Sequence, residues 1–326
     1  MSATLVFVHG RGQEARDPDE LQRAWRAGLA AGLVKAGVPA VDATPSVFPY
    51  YGDLLYRITA ELAQRGERID LESLSEARRP GLPAPLPLHP HLPADTGEVE
   101  RRLLADMAAA AGAMDAGVDE ESLDKESLDK EGLDRVLSWS AARRALTWVA
   151  RHTRLDQEII KAHLQDVAVY LTRARDTVLA EVGKGIPPGV PIVLVSHSLG
   201  TVVARDLLDD GDLRRRTRLW VTAGSPLGLD AVQRNLRSGG RRHPGVDWLS
   251  CYDVNDVVAL GHPLRPTWGN PLADVEVQNG DSPHSIERYL GHPPVAARIG
   301  AAVAAAVPAA VPAAVPAAVP AAVPAE

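Results

Sequence analysis

The chain has 326 residues, of which 45% are hydrophobic and 24% are charged, and this composition is typical of a globular protein with a sizeable core. The net charge of −7, without a long basic run, argues against a protein that binds nucleic acid through its phosphates. The single cysteine, Cys251, excludes an intrachain disulfide framework, and its place in a predicted strand favours a buried apolar role.

The first predicted element is a strand over residues 4–8, which ends in His9-Gly10-Arg11-Gly12. The N-terminal sequence MSATLVFVHG has no basic region and too few apolar residues for a signal peptide. No window of the chain has the length and apolarity of a membrane span, so we expect a cytoplasmic protein without an integral membrane segment. The two glycines let the backbone fold over the end of the sheet, and His9 is interpreted as a structural residue that bonds within this loop.

A helix and a second strand come next. The helix is predicted over residues 17–37, because Asp17 precedes a proline and two acidic residues. Its apolar side chains recur every four residues, at Leu21, Trp25, Leu29 and Leu33. Residues 41–48 read as the second strand, and the loop after it carries Tyr50 and Tyr51, which either line a cleft or pack as half-buried aromatics.

Residues 65–150 differ in character and are interpreted as an insert. Residues 80–93 are too rich in proline for a helix or a central strand and predict an extended connector. Residues 121–135 repeat one acidic pentad three times, and a five-residue period does not keep one helical face, so we expect a solvated segment there. The helix-permissive parts of the insert hold enough apolar side chains to form a cap over a cleft.

The last residues, 301–326, are predicted to form a disordered tail, separate from a single domain over residues 1–300. Residues 305–324 repeat the sequence AAVP five times. A proline at every fourth position forbids a helix, so an extended appendage is expected. Such a proline-rich arm could also bind a protein partner.

The most informative stretch is residues 191–208, PIVLVSHSLGTVVARDLL. An apolar, β-branched run predicts a buried strand, and helical spacing begins at Thr201. A strand that turns into a helix over so few residues places Ser198 at the apex of a sharp turn, which is the geometry of a nucleophile elbow. Small residues are required on both sides of the apex, and Ser196 and Gly200 supply them. The alternative is an ordinary strand, turn and helix in which Ser198 caps the helix.

Further strands are predicted at residues 217–222, 247–252 and 275–277. Together with the earlier elements they predict a mostly parallel, doubly wound α/β sheet with helices on both faces. Ser225 is an alternative nucleophile, but Pro226 follows it directly and does not suit the start of a long helix.

A serine nucleophile needs a general base and an acid that orients the base. Asp253 and Asp256 both follow the strand at residues 247–252, and Asp256 is favoured because an apolar segment that could bury it comes directly after. The base is expected in the loop beyond the last strand, and His284 meets this condition. The alternatives His262 and His292 lie before that strand and beyond a short helix.

Five sequences carry a resemblance to a known family: VFVHGRGQ, VLVSHSLGTVVARDLL, TAGSPLGL, DVNDVVAL and PHSIERYL. They resemble the α/β-hydrolase superfamily, in particular its bacterial members related to lipases and PGAP1-like esterases. The resemblance covers residues 1–65 and 150–300 and leaves out the insert and the tail. It implies an α/β-hydrolase fold, Ser198 as nucleophile with His284 and Asp256, and an oxyanion hole formed by the N–H groups of Arg11 and Leu199.

The expected function is a serine hydrolase that cleaves carboxylic esters of small molecules or lipids through an acyl-enzyme, without a cofactor or a metal. An acyltransferase or a thioesterase with the same triad is one alternative, because the superfamily hosts several chemistries. A non-catalytic binding protein with the same fold is the other.

Overall fold

The computed structural model describes residues 3–65 and 165–305, together with the helical positions 99, 102, 103, 106 and 107. Within these described residues, six strands form one sheet in which every neighbouring pair is parallel. The strands are β1 (Thr4–Val8), β2 (Ser46–Val47), β3 (Ile192–His197), β4 (Thr217–Ala223), β5 (Trp248–Tyr252) and β6 (Leu272–Glu276). The expected α/β class with a parallel sheet is therefore confirmed.

Helices connect the strands. They are α1 (Pro18–Ala36), α2 (Gly52–Arg65), α3 (Arg175–Lys184), α4 (Leu199–Leu207), α5 (Gly211–Arg216), α6 (Asp230–Arg234), α7 (Arg265–Trp268), α8 (Ile286–Leu290) and α9 (Pro293–Ala305). A π-helical segment, Tyr170–Ala174, leads into α3, and short 3-10 turns occupy Pro226–Gly228 and Val257–Ala259.

The helices cover the sheet on both faces, as expected for a doubly wound arrangement. On one face α1 packs against α8 and α9, and its predicted apolar stripe, from Leu21 to Leu33, is buried. On the other face α3 packs against α4, and α2 lies against the π-helical segment. The strand residues alternate between these two cores, so that Phe7 belongs to the first and Val8 to the second.

The strand order β2-β1-β3-β4-β5-β6 reverses direction at one point. The chain goes from β1 to β2 on one side and then crosses to β3 on the other side of β1. In open parallel sheets, ligands bind at the carboxyl ends of the strands where the order reverses. This topology points to the gap between the end of β1 and the end of β3, where Gly10 and Ser198 follow their strands.

Some expected boundaries differ from the observed ones. The second strand is shorter than residues 41–48, because Thr44 N–H turns back to Val41 O at 2.9 Å. Arg26 holds this turn, because its guanidinium donates to the carbonyl oxygens of Asp42 and Thr44 at 2.8 and 3.0 Å.

The last helix continues to Ala305, past the boundary expected at residue 300, because Val303 is buried against the sheet.

Part of the insert packs on the domain. Val99, Leu103 and Met107 follow one another at four-residue spacing, and all three side chains are buried in the core on the side of α3 and α4. Asp106 accepts a hydrogen bond from the N–H of Ala231 in the first turn of α6 at 2.5 Å. The proline-rich residues 80–93, the pentad repeat and the AAVP repeats from residue 306 onward lie outside the described residues.

Within the ranges that the structure describes, no helix is long and apolar enough to cross a membrane.

Candidate active site

Ser198 lies between β3 and α4 in a backbone conformation that few L-residues adopt, with φ 55° and ψ −132°. Such strain costs about 1–3 kcal/mol and persists only where the surroundings fix it. The Ser198 N–H donates to Ala223 O at 3.0 Å, and Ser198 O accepts the N–H and the hydroxyl of Thr201 at 2.9 and 2.7 Å. The side chain makes no capping hydrogen bond to α4, so the alternative of an ordinary serine cap does not describe it.

The hydroxyl of Ser198 is buried and unpaired. The residue is only 2% exposed, and its Oγ has no hydrogen-bond partner among the residues that the structure describes. An unsatisfied buried polar group costs about 1–3 kcal/mol, so it calls for an explanation in the function of the site. A substrate or a catalytic base can supply the missing partner.

Glycines at two positions allow the sharp turn. A Cβ on Gly200 would overlap the carbonyl oxygens of Val8 and His9, and a Cβ on Gly10 would lie 2.7 Å from the Cβ of Ser198. The loop after β1 and the turn after β3 therefore pass so closely that neither position tolerates a side chain.

Ser196 stands where the elbow motif has its first glycine. Its hydroxyl donates to Val221 O at 2.9 Å and accepts the indole N–H of Trp220 at 2.9 Å. Both bonds lie within the sheet, so this buried serine is fully partnered and does not compete with Ser198.

His284 and Asp256 form the second half of the site. His284 Nδ1 lies 2.8 Å from Asp256 Oδ2, and the carboxylate can only accept, so Nδ1 carries the proton and Nε2 is left as the basic nitrogen. Asp256 is buried, and its Oδ1 accepts the N–H of Val258 at 3.0 Å as the cap of a 3-10 turn. The His284 side chain keeps 31% of its surface exposed, which leaves the ring accessible from the cavity.

The structure places Asp256, and not Asp253, against His284. The Asp253 carboxylate instead accepts the N–H of Asn255 at 2.8 Å and the N–H of Asn279 at 2.5 Å. Asn279 in turn donates through its side chain to Pro283 O at 2.7 Å, next to His284. Asp253 therefore ties the loop after β5 to the loop that carries His284.

Gly224, directly after β4, makes room for the pair. It has φ 55°, and a Cβ there would lie 2.7 Å from Asp256 Oδ2 and 2.9 Å from His284 Nδ1. Any side chain at this position must push the carboxylate and the imidazole apart.

We expect Gly224→Ala to lower kcat/KM for an ester substrate about 100-fold, because a shift of the base by about 1 Å has effects of that size. The matched control is Gly239→Ala, since Gly239 also has a positive φ, 72°, but has no atom within 4 Å of its Cβ position. Both variants should lose about 1–2 kcal/mol of unfolding free energy from backbone strain. Equal kcat/KM values for the two variants would contradict the proposed role of the Asp256–His284 contact.

His9 holds the loop that follows β1. Burial lowers the pKa of His9 to about 4, so the ring is neutral. Its Nδ1–H donates to Gly10 O at 2.7 Å, its Nε2 accepts the N–H of Tyr51 at 3.0 Å, and the ring stacks on Tyr51. The predicted structural role of His9 within the loop is confirmed.

Tyr50 and Tyr51 also support this loop. Tyr51 is fully buried, and the Tyr50 hydroxyl donates to Gln13 O at 2.6 Å.

The two predicted oxyanion donors lie on the two segments that meet at Ser198. Leu199 is the first residue of α4, so its N–H has no partner within the helix. The Gly10–Arg11 peptide is trans, and because His9 binds its carbonyl oxygen, the Arg11 N–H points to the opposite side of the peptide from His9. The Arg11 side chain is fixed separately by Asp166, at 2.7 Å.

A cavity of about 360 Å³ opens at this end of the sheet, and both Ser198 and His284 border it. Much of its wall is apolar, and the polar residues Arg11, Gln13, Arg16 and Glu287 also border it. The apolar lining residues are Leu21, Trp25, Met107, Val257, Val258 and Ile286.

The alternatives considered from sequence are partnered elsewhere. The Ser225 hydroxyl accepts the N–H of Leu227 at 3.2 Å and shares a hydrogen bond with Thr201 at 2.7 Å. His262 bonds Ala259 O at 2.7 Å and Ser250 Oγ at 3.2 Å, and burial lowers its pKa. His292 bonds Asn279 Oδ1 at 3.0 Å.

Sequence reasoning missed two neighbours of the pair. The ring of His197 lies 4.5 Å from that of His284, and its Nε2–H donates to His284 O at 3.0 Å. Tyr289 donates its hydroxyl proton to Asp256 Oδ2 at 2.8 Å. His197 lies inside the elbow motif, which was a usable signal, whereas the helical spacing of Tyr289 indicated only packing.

Cys251 is fully buried in β5, and burial raises the pKa of its thiol. The predicted apolar role of this residue is confirmed.

Comparison of the chain with protein-family models, with curated proteins and with solved structures gave no match.

Proposed function

We propose that this protein is a serine hydrolase of the α/β-hydrolase type that cleaves carboxylic esters through an acyl-enzyme. The observation that carries the proposal is the strained Ser198, which has a buried, unpaired hydroxyl and borders the same cavity as His284, the partner of Asp256. Strain and an unsatisfied buried group together cost several kcal/mol, and a protein retains such costs where they serve a site.

In the proposed reaction, His284 Nε2 removes the proton from Ser198 Oγ as the oxygen attacks the ester carbonyl. The N–H groups of Leu199 and Arg11 donate to the oxyanion, and Asp256 stabilises the imidazolium that forms. The imidazolium then protonates the leaving alcohol. Water attacks the acyl-enzyme in the second half, with His284 again as the base.

The apolar part of the cavity suits an acyl chain. Trp25 and Ile286 enter it from the domain itself, and Met107 enters it from the insert. Met107 is almost fully buried, so at this position the insert closes over the cavity. We therefore assign the segment around Met107 to a cap that limits the length of the acyl chain.

A panel of chromogenic esters of increasing acyl length tests both the activity and this assignment. Met107→Ala enlarges the cavity, so we expect the wild type to hydrolyse the panel and the variant to prefer longer chains than the wild type. The matched control is Leu103→Ala, since Leu103 lies one turn away and is buried in the core. Both variants should lose about 2–5 kcal/mol of stability, and only Met107→Ala should change the preferred chain length.

Two outcomes would contradict these assignments. A folded wild type that hydrolyses no ester of any length would overturn the proposed activity. Hydrolysis with the same chain-length preference in Met107→Ala as in the wild type would overturn the cap alone. Adding alcohols or amines to the same assay and analysing the products separates hydrolysis from acyl transfer.

A further inference from the structure

The carboxylate of Asp256 carries more hydrogen bonds than orientation of His284 needs. Its Oδ2 accepts two of them, from His284 Nδ1 and from the hydroxyl of Tyr289, each at 2.8 Å. Its Oδ1 accepts the N–H of Val258 at 3.0 Å. Tyr289 and His284 therefore share one oxygen of a buried acid.

The direction of the Tyr289 hydrogen bond is fixed by a second contact. The Tyr289 oxygen accepts the N–H of Asp253 at 3.0 Å, so its single proton is directed to Asp256. Tyr289 is fully buried, and burial, together with the nearby Asp256 carboxylate, raises the pKa of its hydroxyl. The side chain thus stays a proton donor over the whole pH range in which an esterase works.

The chain connects the donor directly to the base. Ser285, the residue after His284, caps α8, and the N–H of Tyr289 donates to Ser285 O at 3.1 Å within that helix. Both groups that bind Asp256 Oδ2 therefore lie on one short segment, with His284 directly before the cap of α8 and Tyr289 within that helix. A movement of α8 displaces them together.

We propose that Tyr289 is a positioning residue that sets the proton affinity of His284 by withdrawing negative charge from Asp256. This inference rests on the proposed function, in which His284 must act as the neutral base. Hydrogen bonds to charged groups contribute about 1.5–3 kcal/mol, and a third donor on the carboxylate weakens its attraction for the imidazolium. Removal of the Tyr289 hydroxyl should therefore strengthen the attraction between Asp256 and the imidazolium.

Other titratable groups surround the pair and remain unchanged in the test below. His197 faces His284 from the turn after β3, Asp253 lies in the loop after β5, and Cys251 lies within β5 near Tyr289. His262 lies near Asp256, and Glu287 of α8 borders the cavity.

The variant Tyr289→Phe tests the inference because it removes only the hydroxyl. We expect the acidic limb of the kcat/KM profile to move to higher pH by about 0.5–1 unit, since the carboxylate with one donor fewer stabilises the imidazolium more. The matched control is Tyr170→Phe. Tyr170 is also fully buried and donates to a buried carboxylate, Asp206, at 3.0 Å, but it lies outside the site. The control should lose similar stability and keep the wild-type profile.

An NMR titration of the His284 ring in the same proteins separates this inference from the proposed activity. The His284 resonances are assigned by their loss in His284→Asn, and their midpoint should rise in Tyr289→Phe alone. This readout stands even if no ester is hydrolysed, in which case the proposed function fails and the positioning role does not. A folded Tyr289→Phe protein in which the His284 ring has the same titration midpoint as in the wild type would overturn the inference.

A second variant keeps the inference testable if Tyr289→Phe does not fold. Site-specific 3-fluorotyrosine at position 289 retains the ring and the hydroxyl but makes the hydroxyl a stronger donor. The midpoint of the His284 titration should then move in the opposite direction, to lower pH. A shift to higher pH, or none, would contradict the proposed role of Tyr289.

Discussion

Replacing His284 with alanine is expected to lower kcat for ester hydrolysis by about 10⁶-fold, as loss of the base does in known serine hydrolases. The variant removes the proposed base for Ser198, and it leaves Asp256 as a buried carboxylate that has lost one of its donors. Steady-state kinetics at saturating substrate measures this loss, and circular dichroism checks that the variant is folded.

His262→Ala and His292→Ala serve as the controls for His284→Ala. Each of these histidines bonds a structural partner, Ser250 or Asn279, so the variants should lose some stability and keep kcat within about tenfold of the wild type. A loss of activity in either control as large as that in His284→Ala would show that the base has been assigned to the wrong residue.

Replacing Ser198 with alanine is expected to lower kcat by about 10⁶-fold as well, because the nucleophile and the base act as one unit. The variant Ser198→Gly should be equally inactive but more stable than the wild type by about 1 kcal/mol. Glycine adopts a positive φ without strain, and it removes the unpaired buried hydroxyl. Chemical denaturation measures the gain in stability.

Ser225→Ala is the matched control for Ser198. The Ser225 hydroxyl is also buried but is fully partnered, so its loss should reduce stability and leave most of the activity. Activity above about 1% in Ser198→Ala would contradict the assignment of Ser198 as the nucleophile. A Ser198→Gly variant less stable than the wild type would contradict the cost assigned to the strained backbone and the unpaired hydroxyl.

Much of the fold could be predicted because its signals are local. The apolar runs before His9 and His197 are long enough and β-branched enough to indicate buried parallel strands, and both form as expected. The small residues around Ser198 predicted a sharp turn, and the turn is present with its positive φ. Each of these features is determined by a few residues of contiguous sequence.

The features that were missed depend on contacts between distant segments. The second strand is reduced to Ser46–Val47 because Arg26, about twenty residues earlier, holds the preceding turn. Tyr289 has the helical spacing of a packing residue, and only the fold brings its hydroxyl to Asp256.

The choice between the two aspartates shows the same limit. Asp253 and Asp256 lie three residues apart, and both have side chains that accept backbone N–H groups in a turn. Their separation into different roles comes from the loop after β6, which brings Asn279 to Asp253 and His284 to Asp256. The apolar segment after Asp256 favoured the residue that contacts His284, but burial alone does not separate the two aspartates, since Asp253 is buried as well.

The central claim is that Ser198 is an activated nucleophile, and labelling with a fluorophosphonate followed by peptide mapping tests it most directly. The reagent forms a covalent bond only with a serine that a neighbouring base activates. We expect one adduct, on Ser198, in the wild type and none in Ser198→Ala or His284→Ala. An adduct on Ser225 or another serine, or a folded wild type that takes up no label, would contradict it.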